Sequence, residues 1–289
     1  MNLPPQIVAL ACAMSYAAAN IAARFGLKHS NPVTMTLISF ATQTVVLWSI
    51  VLLSGSVPEI SYFPVLLFVG IGFVMPVIRT LTYIGIATMG ASRSVSLRSS
   101  YPLFAALFAL IFLGEELKPL VLAGTLLVVS GTSFITWQRD DSHSAGRWWY
   151  ALFPLTASLI SALIQPVVRY GLGIAYYPLF LTALVGVTSL SLFVGSLPLV
   201  KRFQRPIWNL KGLKSLIIAS LLENLGFLLF ITAFGLAPVA TVSPLVATSP
   251  MWVVLATLVI FRDLEHVSRR TIIGTALTVA GTVAISLSH

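Results

Sequence analysis

Ten apolar runs, each close to the length that crosses a hydrocarbon layer as a helix, fill this chain almost end to end. A bilayer core of about 30 Å takes about 20 mostly apolar residues. The runs fall at 4–25, 32–53, 62–87, 94–113, 118–137, 148–170, 177–199, 213–236, 238–260 and 270–288. Short breaks rich in charge, Pro, Gly or Asn separate them. The spacing predicts an all-α integral membrane protein with ten transmembrane helices. Composition points the same way. Of 289 residues, 57% are hydrophobic and 9% charged, where a soluble surface takes roughly 25% charged residues. That excludes a soluble enzyme, a nucleic-acid binder and a disordered chain. The net charge of +9 then reads as basic loops beside an anionic leaflet. The first run starts at Leu3 with no basic flank and is long enough to span, so no cleavable signal is expected. Membrane lipids and a small-molecule substrate are the expected partners, and the expected location is a cell membrane, a prokaryotic inner membrane foremost.

Cys12 is the sole cysteine, so no intrachain disulfide forms, and no His/Cys cluster predicts a metal or other cofactor. The chain has no Gly-x-x-x-x-Gly-Lys-Ser/Thr, so ATP is not expected as a partner.

The second half repeats the first. Asn20-Ile-Ala-Ala-Arg24-Phe-Gly-Leu27 near the end of run 1 matches Gln165-Pro-Val-Val-Arg169-Tyr-Gly-Leu172 near the end of run 6. Gly124 with Gly131 in run 5 matches Gly274 with Gly281 in run 10. Pro102 pairs with Pro250, and Glu115 and Glu265 each precede the Gly opening their closing run by nine residues. The matches keep their order. Five runs per copy is odd, so the copies, residues 1–139 and 140–289, are expected to enter the membrane in opposite senses. Such inverted repeats are a recurrent transporter architecture, with the substrate site at their interface. The paired glycines, seven residues apart, read as faces for close helix approach.

The stretch from Gly90-Ala-Ser-Arg-Ser-Val-Ser-Leu97 through Pro102 to Leu113-Gly-Glu115-Glu-Leu117 and Gly124 resembles the EamA type of the drug/metabolite transporter superfamily. A looser second copy runs from Ala237-Pro-Val-Ala-Thr-Val-Ser-Pro244 through Pro250 to Gly281. The resemblance covers essentially the whole chain. It implies ten helices in a 5+5 inverted repeat, and secondary transport or export of small metabolites, without naming a substrate.

Charge inside a span costs about 2.5–3.5 kcal/mol on insertion scales and persists where it meets protein, water or substrate. Arg79 lies deep in run 3, on one helical face with Pro76 and Tyr83. Arg98 lies in run 4 with Tyr101 on its face. Glu223 is mid-run 8, beside Asn224 and one turn before Phe227. The guanidinium fork suits a carboxylate or phosphate, and Glu223 suits a substrate amine or a coupling proton. The alternative is an Arg79–Glu223 ion pair that only locks packing. Arg98 alternatively snorkels to the interface. Asn20 and Gln165 are mirrored and suit either a polar pair at the site or helix–helix hydrogen bonds. Trp252 suits a cavity wall or core packing. Arg24 and Arg169 read as interfacial anchors, and Glu115 and Glu116 as solvated caps.

Lys and Arg crowd the connections after runs 1, 3, 5, 7 and 9, which by the positive-inside rule puts both termini outside. The family resemblance implies termini inside. The function expected is a secondary transporter, not an enzyme, moving a small carboxylated or anionic metabolite, possibly an amino acid. A broad exporter of apolar or cationic compounds is the alternative. A membrane enzyme is disfavoured, since no Gly-x-Ser-x-Gly or His-Glu-x-x-His occurs and the Asp140-Asp141 pair with His143 reads as a polar linker.

Overall fold

The computed structural model describes residues 4–55, 57–89, 97–98, 100–136, 148–200, 205–260 and 269–287. Arg93, Asp140, Asp141, His143 and the Arg262–Glu265 stretch lie outside them, as does the side chain of Tyr83. The described residues form eleven α-helices and one short 3-10 turn, with no strand. They are α1 (Pro5–Leu27), α2 (Pro32–Leu53), α3 (Tyr62–Met89), α4 (Tyr101–Leu113) and α5 (Pro119–Thr136). After the turn Trp148–Ala151 come α6 (Leu152–Ile174), α7 (Pro178–Val200), α8 (Leu210–Leu236), α9 (Val239–Val246), α10 (Ser249–Ile260) and α11 (Arg269–Ser286). Six of them, α1, α2, α3, α6, α7 and α8, are long and apolar enough to cross a membrane. The run read from sequence as 238–260 is instead two helices, broken at Ala247–Thr248. The break follows Pro244 and precedes Pro250, residues that cannot supply the backbone N–H a continuous helix needs.

The main seams pair α1 with α8, α5 with α11, α2 with α7, and α3 with both α6 and α7. Small residues make them close. A methyl added at Gly124 would fall 2.8 Å from the Gly281 carbonyl oxygen, and one at Gly131 would fall 2.6 Å from that of Gly274. The small-residue faces expected from the sequence are thus the α5–α11 seam. On α1, Cys12 Sγ donates to the Gly226 carbonyl at 3.1 Å and Ser15 Oγ to that of Leu222 at 2.7 Å.

Proline chemistry builds the α3–α7 seam. Pro76 has no N–H for the carbonyl four residues back, that of Gly72. Ser189 Oγ on α7 donates to this freed oxygen at 2.9 Å. Between α2 and α7, Gln43 Nε2 donates to the Thr182 carbonyl at 3.0 Å and Trp48 Nε1 to that of Ala183 at 3.1 Å. With no hydrophobic force to drive helices together in lipid, such packing and bonding are what hold a bundle.

The connections sort onto two ends. Asn31 caps α2, accepting from Thr34 N at 3.0 Å, and its Nδ2 donates to the Arg205 carbonyl at 2.6 Å. Ser30 Oγ donates to the Ile207 carbonyl at 2.8 Å. These bonds put the α1–α2 and α7–α8 connections at one end. At the other, the α4–α5 connection meets the start of α9.

Candidate functional site

Arg79 stands one turn beyond Pro76 on α3. Its Nη2 lies 3.3 Å from Glu223 Oε1 on α8, and its Nη1 donates to Glu223 Oε2 at 3.4 Å and to Ser39 Oγ on α2. Ser39 Oγ in turn donates to Glu223 Oε2 at 2.8 Å. The guanidinium carbon sits 4.4 Å from the ring centroid of Phe40, a cation–π contact. The side chains are 12% and 21% exposed, so both charges are largely out of water and each depends on the other. The helices carrying them, α3 and α8, share no extended seam; the ion pair bridges the space between them.

Next to Glu223, Asn224 is buried. Its Nδ2 donates to the Ser39 carbonyl at 3.1 Å and to Thr42 Oγ1 at 3.0 Å, while its Oδ1 is buried with no partner. Buried carbonyl oxygens are almost always paired, so this atom is an open acceptor one residue from the ion pair. Tyr16 of α1 lies against Gly226, where a methyl would fall 2.9 Å from its ring. It packs against the buried core between α1 and α8, near Cys12, Glu223, Arg79 and Tyr101.

A second polar group lies between α3, α4, α6 and α9. Arg98 Nη1 donates to Thr82 Oγ1 on α3 at 3.1 Å, and its carbonyl accepts from Ser158 Oγ on α6 at 3.4 Å. Arg98 is therefore tied to interior helices and does not simply snorkel outward. Tyr101 OH donates to the Ser243 carbonyl at 3.2 Å, and Ser243 Oγ bonds Gln165 Oε1. Arg79 and Thr82 are three residues apart on α3, so the two groups share one helix.

The structure thus brings together Arg79, Glu223 and Asn224, and separately Arg98, Tyr101 and Gln165. Asn20 and Gln165 do not form a mirrored pair: Asn20 is exposed and Gln165 is 1% exposed and bonded to Ser243. Phe227 is buried in the core, stacked on Phe230 with centroids 6.0 Å apart. Trp252 is partly buried, with an indole N–H that has no partner. Arg169, near the end of α6, binds a neighbouring helix end. Its Nη1 donates to the carbonyls of Phe234 and Gly235 at 3.0 and 2.9 Å, capping the C-terminus of α8 where a cation is favoured by the helix dipole. Glu115 is not a solvated cap of its own helix, but bonds backbone N–H groups of α9. Ser39, Tyr16, Thr82 and Ser243 were not singled out from the sequence.

A comparison with curated proteins finds no match. Twenty-nine chains of solved structures do match. One, described only as "Crystal structure of protein", has a TM-score of 0.81 at 16% identity, over 98% of this chain and 96% of its own; the likeness is one of fold. The profile of the EamA-like transporter family matches twice, at residues 3–137 and 148–287. The chain belongs to the EamA-like transporter family, within the drug/metabolite transporter superfamily of membrane transporters.

Proposed function

We propose that the chain is a secondary transporter that moves a small carboxylated or otherwise anionic metabolite, amino acids among them, by alternating access. Two inverted five-helix halves, residues 1–139 and 140–289, rock about the polar groups between them. The packing partners support the repeat, because exchanging each helix for its counterpart five spans on maps most of the larger seams onto one another. Contact of α1 with α8 corresponds to that of α6 with α3, and α2 with α8 to α7 with α3. Contact of α1 with α9 and α10 corresponds to that of α6 with α4, while α2–α7 and α5–α11 each join a helix to its own counterpart. Here α9 and α10 together make the ninth span: their 8 and 12 residues rise about 12 and about 18 Å.

The observation that carries the anion reading is the interior placement of two guanidinium groups, Arg79 and Arg98. In this conformation Glu223 occupies Arg79. A proton on Glu223 cancels its charge and frees the guanidinium for a substrate oxyanion. Loss of that proton lets Glu223 reclaim Arg79 and expel the anion. Proton and anion then load together and leave together, which couples transport to a proton gradient without nucleotide. Asn224 Oδ1 offers an acceptor to a donor group on the same substrate.

The test is a thermal-shift screen of the purified protein against small carboxylates, amino acids, organic cations and apolar compounds. A ligand at a hundred times its Kd stabilises by about 2.7 kcal/mol. Anions are expected to raise Tm, and R79A and R98A to lose that rise while still melting cooperatively. Proton-driven uptake of the stabilising anion into proteoliposomes is expected to fail in E223Q. Stabilisation by cations or apolar compounds alone would overturn the reading. It would favour the broad exporter, for which Tyr16, and Phe40 beside Arg79, supply the aromatic groups near Glu223.

A further inference from the structure

Glu115 holds a helix that is not its own. Helix α4 ends at Gly114, whose φ of +63° is the left-handed conformation glycine adopts without cost. The Gly114 N–H closes the helix onto the Leu110 carbonyl at 3.2 Å, and the Glu115 N–H turns back to that of Ala109 at 3.3 Å. The reversal delivers the Glu115 carboxylate to the first turn of α9. There Oε1 accepts from Val239 N at 3.0 Å and Oε2 from Ala240 N at 3.3 Å.

Helix α9 needs such a partner. The first N–H groups of any helix lack an intrahelical acceptor, and the residue preceding α9 is Pro238, whose side chain offers none. Val239 and Ala240 are 0% and 3% exposed, so water does not replace one. Ala240 packs with Ala106 of α4 and Val121 of α5, which seals the contact. A carboxylate there meets both open donors and the positive end of the helix dipole. With 8 residues, α9 is too short to hold itself together and relies on tertiary contacts. One turn along the same face, Ser243 meets Tyr101 and Gln165.

We infer that Glu115 is a positioning residue: by capping α9 from the α4–α5 connection it fixes Ser243 against Tyr101 and Gln165 in the transport site. The inference uses the family's transport function but not the anion assignment.

Hydrogen exchange of the purified full chain in detergent tests it, with Cys12 as a built-in reporter. Cys12 is buried on α1, which packs against α9, and shares a core cluster with Val239 and Val242 against which Tyr101 packs. In E115A, exchange in 239–246 is expected to quicken by about tenfold or more, with α2 and α7 unchanged. Maleimide labelling of Cys12 is expected to quicken in parallel. In E115Q, which keeps one acceptor oxygen, both effects should be smaller, and this variant carries the test should E115A not fold. Unchanged exchange in 239–246 overturns the inference. So does an equal rise in α2 and α7, which marks general loosening. A rise confined to α9 with Cys12 labelling unchanged overturns it too, since Glu115 would then cap a helix without positioning the site. No anion is added, so failure here leaves the anion reading standing, and failure of the ligand screen leaves this inference standing.

Discussion

A guanidinium and a carboxylate so largely withdrawn from water are tolerable only as a unit. Arg79 finds Glu223, Ser39 and the face of Phe40, and Glu223 finds Arg79 and Ser39. Removing one partner of a buried pair strands a charge, at about 3–5 kcal/mol, whereas replacing both by apolar side chains of similar volume is often close to neutral. Glu223→Ala alone is therefore expected to lower thermal stability in detergent by about 3 kcal/mol, and the volume-conserving double variant R79M/E223L to lose much less. Additive losses in the double variant would show that the two charges do not depend on each other. The charged members of the site were legible in the sequence because charge in an apolar run is expensive and needs a reason. Ser39, Thr82 and Ser243 were not. A hydroxyl in a span satisfies itself on the carbonyl one turn back, as Thr82 does on Ile78, so its presence advertises nothing. Glu115 was misread for a related reason: local sequence shows a Glu after a helix-ending Gly, but not which foreign helix end lies above it.

At the scale of elements, hydrophobic length gave most helix positions to within a few residues. Run 2, read as 32–53, is α2 at Pro32–Leu53, and run 7, read as 177–199, is α7 at Pro178–Val200. The α9–α10 break escaped a reading by hydropathy because the residues on either side stay apolar. Only Pro244 and Pro250 mark it, and prolines are common in spanning helices, where neighbours satisfy the freed carbonyls, as Ser189 does for Gly72. The α5–α11 seam, by contrast, was written plainly in paired glycines. A side chain at Gly281 would meet the Gly124 carbonyl oxygen at 2.5 Å, and backbone cannot rotate away as a side chain does. Gly281→Val is expected to destabilise by at least about 3 kcal/mol, the upper end for overpacking, and Gly173→Val, with open space around it, by well under half of that. Melting midpoints in detergent compare the two. Equal midpoints would mean the seam opens to admit the side chain.

Across the whole molecule the two ends differ in charge. Lys28, Arg205, Lys211 and Lys214 lie at the end where Asn31 and Ser30 bind the 205–209 segment. Arg270, at the start of α11, joins them, because Gly131 late in α5 meets Gly274 early in α11 and the two helices therefore run antiparallel. Among the described residues, the opposite end carries Glu59, Glu115 and Glu116 with Lys118 and Arg169. Each Lys or Arg near an anionic leaflet is worth about 1 kcal/mol, so five of one sign at one end outweigh the mixed group at the other. The positive-inside rule then predicts a cytoplasmic Lys211 end and an external start of α1, the reverse of the arrangement the family resemblance implies. Cysteines introduced singly into C12A decide between them. On intact cells, an impermeant maleimide is expected to label E116C and not K211C, and on inverted vesicles K211C and not E116C. The opposite pattern would mean that something other than loop charge sets the insertion of this chain. Labelling of both positions from both sides would mean that the chain inserts in two orientations, which the near-symmetry of its packing permits but its uneven charge opposes.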